Sequence, residues 1–404
     1  MKLIKKLIKK ELRYGAHNYK SLPVVIKEAK GIYMYDVTNK KYFDFLSCYS
    51  AVNQGHCHPR IIKTLTDQSS KLTLTSRAYY NNKLGDYMKY ITKLFNYQRV
   101  LPMNTGVEAS ETAIKLARCW GYKKKGIPNN EAVVLFAENN FWGRSIAACS
   151  SSSDPSCYEN FGPYTPGFKL IPYNDTQTLE SVLEDNPNIV AFMIEPIQGE
   201  AGIIVPNENY LKNVSNICRK YNVLFIADEI QSGLGRSGKM LACDYEDVKP
   251  DILCLGKALS AGVYPVSAVL ADNHIMNCIT PGTHGSTYGG NPLGSAIAKA
   301  SLDVLIEENM IENSYKMGLY FRENLKKMYD CNSPLVNIRG KGLFNSIELD
   351  GSDVAEKLSY ELLKNGLLSK TTHGNKLRLC PPLCINVREL DECLDIIQKA
   401  IRTV

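Results

Sequence analysis

Two ionisable residues, Asp228 and Lys257, follow strand-length apolar runs and lie 29 residues apart in the sequence. That separation leaves room for one helix and a loop, so both side chains can face the same crevice. A lysine buried in an apolar pocket has its charged form disfavoured and can attack a carbonyl carbon as a neutral amine. A neighbouring carboxylate can hold a protonated heteroaromatic nitrogen, as an electron-sink cofactor requires. Taken singly, Lys257 fits a surface lysine and Asp228 fits a helix cap or an ion pair, so it is their common placement that favours chemistry.

Two stretches of small and polar residues have the composition of phosphate sites. Residues 104–107 (NTGV) precede Glu108–Trp120, a segment with helical periodicity. A glycine-containing loop that opens a helix presents free N–H groups and the positive end of the helix dipole. Residues 285–292 (GSTYGGNP) supply further hydroxyl groups. Either signal is weak alone, because ordinary helix starts and tight turns use the same residues.

Short apolar runs of strand length alternate with longer segments of helical periodicity. The clearest runs are Val133–Ala137, Ile189–Ile194, Val223–Ala227 and Ile252–Leu255. Continuous apolar strands separated by helices predict an α/β fold whose largely parallel sheet is covered on both faces. Ligands of such sheets bind beyond the carboxyl ends of the strands. Glu195, Asp228 and Lys257 occupy those positions in this sequence.

The pattern of polar and apolar residues changes near residue 301. Long polar stretches of helical character, Ser301–Tyr329 and Asp353–Asn365, alternate there with short segments at Val336–Glu348 and Lys376–Cys380. We therefore predict an N-terminal segment over residues 1–49, a large domain over residues 50–300 and a small α+β domain over residues 301–404. Within the first of these, residues 1–13 place apolar residues at helical spacing among lysines, which predicts an amphipathic helix.

Composition and charge narrow the class of protein. With 404 residues, of which 44% are hydrophobic and 22% charged, the chain has the composition of a folded globular protein, which excludes disorder and coiled coil. The net charge of +7 is not gathered into long basic runs beyond residue 13, so nucleic-acid binding is not indicated. We find no uninterrupted apolar stretch of about 18 residues and expect no membrane partner. The 13 cysteines lack the spacing of a disulfide framework, which predicts reduced thiols in an intracellular protein.

Five segments closely resemble the class III pyridoxal-phosphate (PLP) aminotransferases. They are residues 101–110 (LPMNTGVEAS), 192–202 (FMIEPIQGEAG), 224–233 (LFIADEIQSG), 252–258 (ILCLGKA) and 284–292 (HGSTYGGNP). The resemblance extends from about Tyr14 to the C-terminus. It implies fold type I of the PLP-dependent transferases, in which a large domain carries a seven-stranded, mostly parallel sheet between helices and a smaller α+β domain follows.

The resemblance implies which residues bind the cofactor ring. Lys257 matches the lysine that bonds to PLP, and Asp228 matches the partner of the pyridine nitrogen. Gln231 matches the residue that hydrogen-bonds the ring hydroxyl, while Phe141 matches the residue stacked on the ring. PLP is therefore the expected cofactor, with Lys257 and Asp228 as the catalytic pair.

The resemblance also implies how the phosphate is held. Gly106 and Val107 match the backbone that binds the phosphate within one subunit. Ser286 and Thr287 match residues that reach the phosphate from the neighbouring subunit. A homodimer with shared active sites follows from this match.

Within the class, three segments resemble the enzymes that transfer the δ-amino group of L-ornithine to 2-oxoglutarate. They are residues 42–59 (YFDFLSCYSAVNQGHCHP), 140–144 (NFWGR) and 372–374 (THG). The implied reaction is a ping-pong transfer that yields glutamate 5-semialdehyde, which cyclises to pyrroline-5-carboxylate, and L-glutamate. Acetylornithine and 4-aminobutyrate aminotransferases are alternatives within the class, and a non-catalytic relative that keeps the fold is an alternative outside it.

Six residues match positions that contact or adjust to the two substrates. They are Tyr19, Tyr49, Arg144, Glu195, Glu200 and Arg378. Tyr19, Tyr49 and Arg144 match the positions that hold the α-carboxylate end of ornithine. Arg378 matches the arginine for the carboxylate of 2-oxoglutarate, and Glu200 matches the carboxylate that covers this arginine. Glu195 matches a neighbour in the same loop.

Three further expectations concern location, metal and thiols. The lysine-rich leader stands where a mitochondrial presequence would, which predicts a cytoplasmic location. Residues 56–58 (HCH) cannot all converge on one ion, so we expect no metal site. Cys149 and Cys157 flank a serine-rich stretch close to Arg144, and a disulfide between them is a hypothesis for control of the substrate loop.

Overall fold

The structure, a computed structural model, describes residues 2–328 and 333–404, so Met1 and residues 329–332, among them Tyr329, lie outside the described residues. Its strands are β1 (Ile26–Lys30), β2 (Tyr33–Asp36), β3 (Lys41–Asp44), β4 (Arg99–Met103), β5 (Val133–Ala137), β6 (Phe168–Ile171), β7 (Ile189–Ile194), β8 (Leu224–Asp228), β9 (Ile252–Leu255), β10 (Ser267–Ala271), β11 (Leu335–Lys341), β12 (Phe344–Leu349), β13 (Leu367–Leu368), β14 (Thr371–Thr372) and β15 (Lys376–Arg378). Its helices are α1 (Lys2–Tyr14), α2 (Ser47–Ser50), α3 (Pro59–Ser69), α4 (Leu84–Leu94), α5 (Gly106–Trp120), α6 (Ile146–Ser150), α7 (Pro155–Tyr158), α8 (Thr176–Asp185), α9 (Tyr210–Lys220), α10 (Asn273–Met276), α11 (Pro292–Glu307), α12 (Met310–Lys326), α13 (Ser352–Asn365) and α14 (Val387–Ile401).

A seven-stranded sheet, in the order β4-β10-β9-β8-β7-β5-β6, forms the centre of the molecule. The four pairs from β9 through β8, β7 and β5 to β6 are parallel, whereas β10 runs antiparallel to both β9 and β4. The predicted α/β fold with a mostly parallel sheet is thereby confirmed. Because β7, β8 and β9 are adjacent and parallel, their carboxyl ends meet at one edge of the sheet.

Helices cover both faces of this sheet, as continuous apolar strands require. Every residue of β7, β8, β9 and β10 is buried. Alternate residues of one strand enter opposite cores: Phe192 joins a cluster with residues of α8 and α9, while Met193 joins a cluster with residues of α5. Burying a side chain of this size contributes roughly 1.5–3 kcal/mol. The two cores therefore fix the orientation of the strands that end at the edge carrying the site.

Two four-stranded sheets flank the central one, in the orders β1-β2-β3-β13 and β11-β12-β15-β14. In the first, β3 pairs in parallel with β13, so the N-terminal segment shares a sheet with residues 367–368. The predicted helical stretch from Ser301 is divided, because Asn309 adopts a left-handed conformation with φ 53° between α11 and α12. The predicted boundaries at residues 49/50 and 300/301 stay predictions, and α11 runs through the second of them.

Two helices depart from the ordinary buried amphipathic kind. Residues 2–14 form α1, the amphipathic helix that the spacing predicts, and none of its residues is buried. The four residues of α2 all have positive φ, from 47° at Cys48 to 73° at Ser50, so they form one left-handed turn. That conformation costs roughly 1–2 kcal/mol for each residue with a Cβ atom. Among the described residues, no helix combines the length and apolarity needed to cross a membrane.

The close packing of α12 on the β11–β12 turn generates a stability prediction. A Cβ atom at Gly318 would overlap the carbonyl group of Gly342, whereas a Cβ atom at Gly85 in α4 would meet nothing within 4 Å. We expect Gly318→Ala to lower the free energy of unfolding by about 1–3 kcal/mol or more, since the obstacle is backbone. The matched control Gly85→Ala should leave stability unchanged or raise it by up to about 1 kcal/mol. Denaturant unfolding measures both, and equal stabilities for the two variants would contradict this packing.

Candidate active site

Three ionisable residues meet at the carboxyl edge of the central sheet. Glu195 directly follows β7, Asp228 is the last residue of β8, and Lys257 follows β9 after one glycine. Lys257 has a φ of 44°, which is uncommon for a residue with a side chain. Backbone strain of this kind is concentrated at functional sites, where the surrounding structure holds it in place. The fold thus brings together the residues that the strand ends predict.

Asp228 is buried, with 5% of its surface exposed. Its Oδ1 accepts a hydrogen bond from the backbone N–H of Ile230 at 3.0 Å, and the hydroxyl of Ser110 donates to Oδ2 at 3.4 Å. Burial raises the pKa of Asp228 to about 6, although these donors and the charge of Lys257 act in the opposite direction. The carboxylate is therefore oriented by two partners and readily neutralised or paired with a cation.

Glu195 is held in the loop after β7 by two backbone N–H groups. The N–H of Phe141 donates to Oε1 at 2.9 Å, and the N–H of Gly199 donates to Oε2 at 2.9 Å. Burial, and then the negative charge of Asp228, raise the pKa of Glu195 to about 8. Glu195 therefore binds a proton near neutral pH. Its two hydrogen bonds also link the loop after β5 to the loop after β7.

The amine of Lys257 lies between opposing electrostatic influences. Burial lowers its pKa below the usual range for lysine. The carboxylates of Glu200, Asp228 and Glu195 favour its charged form, but they do not outweigh burial. A lysine in these surroundings supplies a neutral amine more readily than an exposed lysine does.

A second group of side chains surrounds the guanidinium of Arg378, which is 2% exposed at the end of β15. Its Nη2 lies 2.7 Å from Glu200 Oε2, and its Nη1 donates to Gln231 Oε1 at 3.0 Å. Thr372 accepts a further bond from Nη2 at 3.4 Å, and the ring of Tyr49 lies 5.1 Å from the guanidinium carbon. Burial alone would raise the pKa of Glu200. The positive charges of Arg378 and Lys257 act in the opposite direction and prevail, so the pKa lies below its ordinary value. The buried Arg378 and the half-buried Glu200 thus form an ion pair.

Gln231 belongs to the group around Arg378, since its Nε2 also donates to Glu200 Oε1 at 3.2 Å. Both ends of its amide are therefore engaged by the ion pair. Asp228 ends β8 at the sheet edge, and Gln231 in the following loop contacts Arg378. In this arrangement, any group that displaces Glu200 from Arg378 also changes the hydrogen bonding of Gln231.

A narrow crevice opens between the loop after β5 and the end of β8. Its walls are formed by Phe136, Asn140, Phe141, Trp142, Met193, Ile194, Glu195 and Asp228. An aromatic wall opposite a buried carboxylate suits a flat ring with a protonated nitrogen. The residues present therefore fit the pyridine ring of PLP, with Lys257 close by to bond to it.

The first turn of α5 fits a phosphate. Thr105 caps the helix in a reciprocal arrangement with Glu108, which engages the N–H groups of these two residues and leaves those of Gly106 and Val107 outside the cap. A Cβ atom at residue 106 would approach two carbon atoms of Ile230 to 3.3 Å, which explains the glycine. Ser286 lies beside this turn, because its hydroxyl accepts a bond from Asn104 Nδ2 at 2.9 Å. Both predicted phosphate segments are thus neighbours within one chain, and Thr287 is exposed.

Two of the predicted substrate residues lie outside the buried groups. Tyr19 is 79% exposed, and Arg144 is exposed with its guanidinium 5.6 Å from the ring of Phe141. Conversely, sequence reasoning missed Ser110 and Thr372, which contact Asp228 and Arg378. Both lie inside segments that carry the family resemblance, at the end of residues 101–110 and the start of residues 372–374.

Cys149 and Cys157 are both buried and both free thiols. Cys157 lies 3.7 Å from a carboxylate oxygen of Asp154, and burial raises the pKa of its thiol. A raised pKa disfavours the thiolate that disulfide exchange requires. The disulfide between these two residues stays a prediction.

Comparisons with known proteins agree with this geometry. Residues 14–401 match the model of a family described as aminotransferase class-III. A rat protein named mitochondrial ornithine aminotransferase is 57% identical over 397 residues, which cover 98% of this chain and 90% of the rat protein. The structure of ornithine aminotransferase from Toxoplasma gondii, described as having partial occupancy of PLP at its active site, superposes with a TM-score of 0.98 at 46% identity, covering 99% of this chain and 94% of that chain. Acetylornithine aminotransferase from Elizabethkingia anophelis gives a TM-score of 0.91 at 51% identity and covers 99% of each chain.

The predicted cytoplasmic location is wrong. The relatives from rat, Drosophila melanogaster and Caenorhabditis elegans are named as mitochondrial proteins. The prediction depended on a lysine-rich leader with few arginines, and that compositional difference does not determine the compartment.

The raised pKa of Glu195 generates a prediction about stability and pH. Its pKa rises from an ordinary 4.5 to about 8, so the native state binds more protons than the unfolded state between these values. The stability that comes from the protonated carboxyl is fully present below the unfolded-state pKa of 4.5, and it is lost as the pH rises through the folded-state pKa of about 8. In cofactor-free protein, Glu195→Gln should therefore reduce the fall in unfolding free energy between about pH 5 and pH 8 by a few kcal/mol.

Urea unfolding at several pH values measures this difference. The control is Glu138→Gln, because Glu138 is exposed and comes directly after β5. It should keep the pH dependence of the wild type. An identical pH dependence in all three proteins would show that Glu195 ionises normally in the folded state.

Proposed function

Because the chain belongs to the class III aminotransferases, a family of PLP-dependent transferases, we propose that it transfers the δ-amino group of L-ornithine to 2-oxoglutarate. The products are glutamate 5-semialdehyde, which cyclises to pyrroline-5-carboxylate, and L-glutamate. The family resemblance predicted from the sequence is confirmed by the match over residues 14–401. The observation that carries the proposal is the pairing of a half-buried lysine among carboxylates with a buried arginine that one carboxylate covers.

The cofactor-binding residues in this proposal are those of the crevice and the first turn of α5. PLP supplies an electron sink for the charge that develops on the substrate carbon. Asp228 would hold the pyridine nitrogen in its protonated form, and Phe141 would form one wall against the ring. Gly106 and Val107 would direct their N–H groups at the phosphate. Gln231 would reach the ring hydroxyl only after releasing part of its present bonding to Arg378 and Glu200.

Lys257 has two roles in the proposed reaction. Its amine would hold the cofactor through a covalent bond. Its Nζ would also act as the general base that takes a proton from the substrate carbon bearing the transferred nitrogen. The same burial that lowers its pKa serves both steps.

Ornithine must present its terminal amine, so its α-carboxylate has to be held away from Lys257. We propose that Arg144 and Tyr19 bind that carboxylate, with Tyr49 at the inner end. Arg144 and Tyr19 are exposed and carry hydrogen-bond donors, which suits a clamp that closes on a ligand entering from solvent.

2-Oxoglutarate reacts beside its own α-carboxylate, and that carboxylate needs a cation close to Lys257. Arg378 would bind it once Glu200 moves aside. Leaving a buried arginine unpaired costs on the order of 3–5 kcal/mol. Glu200 therefore covers Arg378 during the ornithine half-reaction and is displaced by the incoming carboxylate in the other. Two substrates that alternate at one site imply ping-pong kinetics.

The assembly in this proposal is a homodimer. Thr287 is exposed although it lies in a segment next to α5 of its own chain, so its hydroxyl is available to a second subunit. Ser286 and Thr287 would then complete the phosphate site of the partner. A dimer with shared sites makes cofactor binding depend on association.

The nearest alternative is an acetylornithine aminotransferase, which would use the same lysine and cofactor site. The two enzymes differ in whether the α-amine of ornithine is free or acetylated. Amine transfer from ornithine, acetylornithine and 4-aminobutyrate, each at equal concentration, separates these candidates. A clear preference for acetylornithine would replace the proposed substrate while leaving the family unchanged.

The first test removes the amine. Lys257→Ala should abolish transfer from ornithine to 2-oxoglutarate, because the variant has neither the bonding amine nor the general base. The control is Lys125→Ala, since Lys125 is also partly buried but donates to the Ile189 carbonyl at the opposite end of β7. It should keep most of the activity. A coupled assay of pyrroline-5-carboxylate measures both variants, and full activity of Lys257→Ala would contradict the mechanism.

The second test separates the two carboxylate sites. Arg144→Gln should raise the KM for ornithine by about 10–100-fold with a smaller change for 2-oxoglutarate, since a charge-assisted hydrogen bond is lost. Arg378→Gln should show the reverse preference. Steady-state kinetics with each substrate varied in turn measures the four constants. Equal effects of either variant on both substrates would contradict separate binding of the two carboxylates.

A further inference from the structure

The left-handed turn α2 places Tyr49 against the guanidinium of Arg378. Its four residues have φ values of 49° at Ser47, 47° at Cys48, 59° at Tyr49 and 73° at Ser50. Consecutive non-glycine residues adopt this conformation only where surrounding contacts impose it. The contacts that impose it here therefore also decide where the Tyr49 ring lies.

One set of contacts comes from Asp44, at the end of β3. Its Oδ1 accepts hydrogen bonds from the N–H groups of Leu46 at 2.9 Å and Ser47 at 2.8 Å. Its Oδ2 lies 2.7 Å from His56 Nε2, which fixes the rotation of the carboxylate. Asp44 thus anchors the entry to the turn.

The other set ties the turn to the segment that directly follows Arg378. The hydroxyl of Ser47 donates to the carbonyl oxygen of Cys380 at 2.7 Å, and the N–H of Cys380 donates to the carbonyl oxygen of Phe45 at 2.8 Å. Ser47 is two residues before Tyr49, and Cys380 is two residues after Arg378. These two hydrogen bonds together set the separation of the two side chains, and only the bond from Ser47 acts on the turn itself.

We propose that Ser47 is a positioning residue that determines affinity for both carboxylate substrates by holding Tyr49 against Arg378. This inference depends on the proposed function, in which Tyr49 lies between the two carboxylate sites. Loss of the Ser47 hydroxyl releases the turn from Cys380, so the Tyr49 ring no longer has a fixed place beside the guanidinium. Substrate binding weakens while the cofactor site, formed by other elements, is unchanged.

Ser50 provides a matched control within the same turn. Its hydroxyl is buried but has no hydrogen-bond partner among the described residues. Its backbone has the same left-handed conformation as that of Ser47. Replacing either serine with glycine relieves strain, since glycine adopts positive φ readily. Only the change at Ser47 also removes a hydrogen bond to the segment that directly follows Arg378.

The experiment compares PLP-loaded wild type, Ser47→Gly, Ser47→Ala and Ser50→Gly. We expect Ser47→Gly to raise the KM for ornithine and for 2-oxoglutarate about tenfold, with kcat changed less than about threefold. Its unfolding midpoint and the visible absorbance of bound cofactor should stay near those of the wild type. Ser47→Ala should raise both KM values similarly but unfold more easily, because it keeps the strain.

Ser50→Gly should match the wild type in both KM values. Equal KM values for Ser47→Gly and Ser50→Gly, in an active wild-type background, would overturn the positioning role. A loss of stability in Ser47→Gly without a change in KM would also overturn it, since that is the result of a purely structural serine. A cofactor-bound wild type that turns over neither substrate would overturn the proposed function, and this inference with it.

Discussion

The amine of Lys257 has to lose its charge at a sheet edge where carboxylates surround it, and the rest of the site depends on how that is achieved. Burial lowers the pKa of Lys257 and raises the pKa of Asp228 to about 6 and of Glu195 to about 8. The same low-dielectric surroundings thus disfavour the charged form of Lys257 and the charged forms of Asp228 and Glu195. Glu200 keeps its charge, and Arg378 pairs with it at 2.7 Å. The cluster therefore places an amine whose pKa is lowered by burial beside one paired cation.

The carboxylate side of the site is assembled from parts of the chain that are distant in sequence. Arg378 comes from β15, Gln231 from the loop after β8, and Tyr49 from the left-handed turn after β3. The parallel pairing of β3 with β13 brings the N-terminal segment to this place. Each part carries a hydrogen bond or an aromatic contact to the guanidinium. We therefore expect a change in any one of these elements to alter the contacts of the Arg378 guanidinium, while the sheet edge with Asp228 remains intact.

The sequence predicts the sheet and its catalytic edge well, because both follow from local patterns. Buried parallel strands are continuous apolar runs, and the residues that end them, such as Asp228, are next in sequence. The left-handed turn at Ser47 is not predictable in this way, since serine and tyrosine have no preference for positive φ and one of the contacts that impose it comes from residue 380, far away in the sequence. The engagement of Gln231 by Arg378, and the contacts of Ser110 and Thr372, likewise depend on long-range pairing. The cellular compartment depends on how other proteins recognise the chain. The composition of the lysine-rich N-terminal segment therefore gave a wrong prediction of location.

The central claim is that, of all the lysines in the chain, Lys257 is the one whose amine bonds to PLP. Borohydride reduction of the PLP-loaded protein, followed by proteolysis and mass spectrometry of the peptides, tests this directly. The account predicts that the mass of reduced pyridoxal phosphate is found on the peptide containing Lys257, in proportion to bound cofactor. Reduced cofactor on another lysine, or an unmodified Lys257 peptide in fully loaded protein, would contradict it.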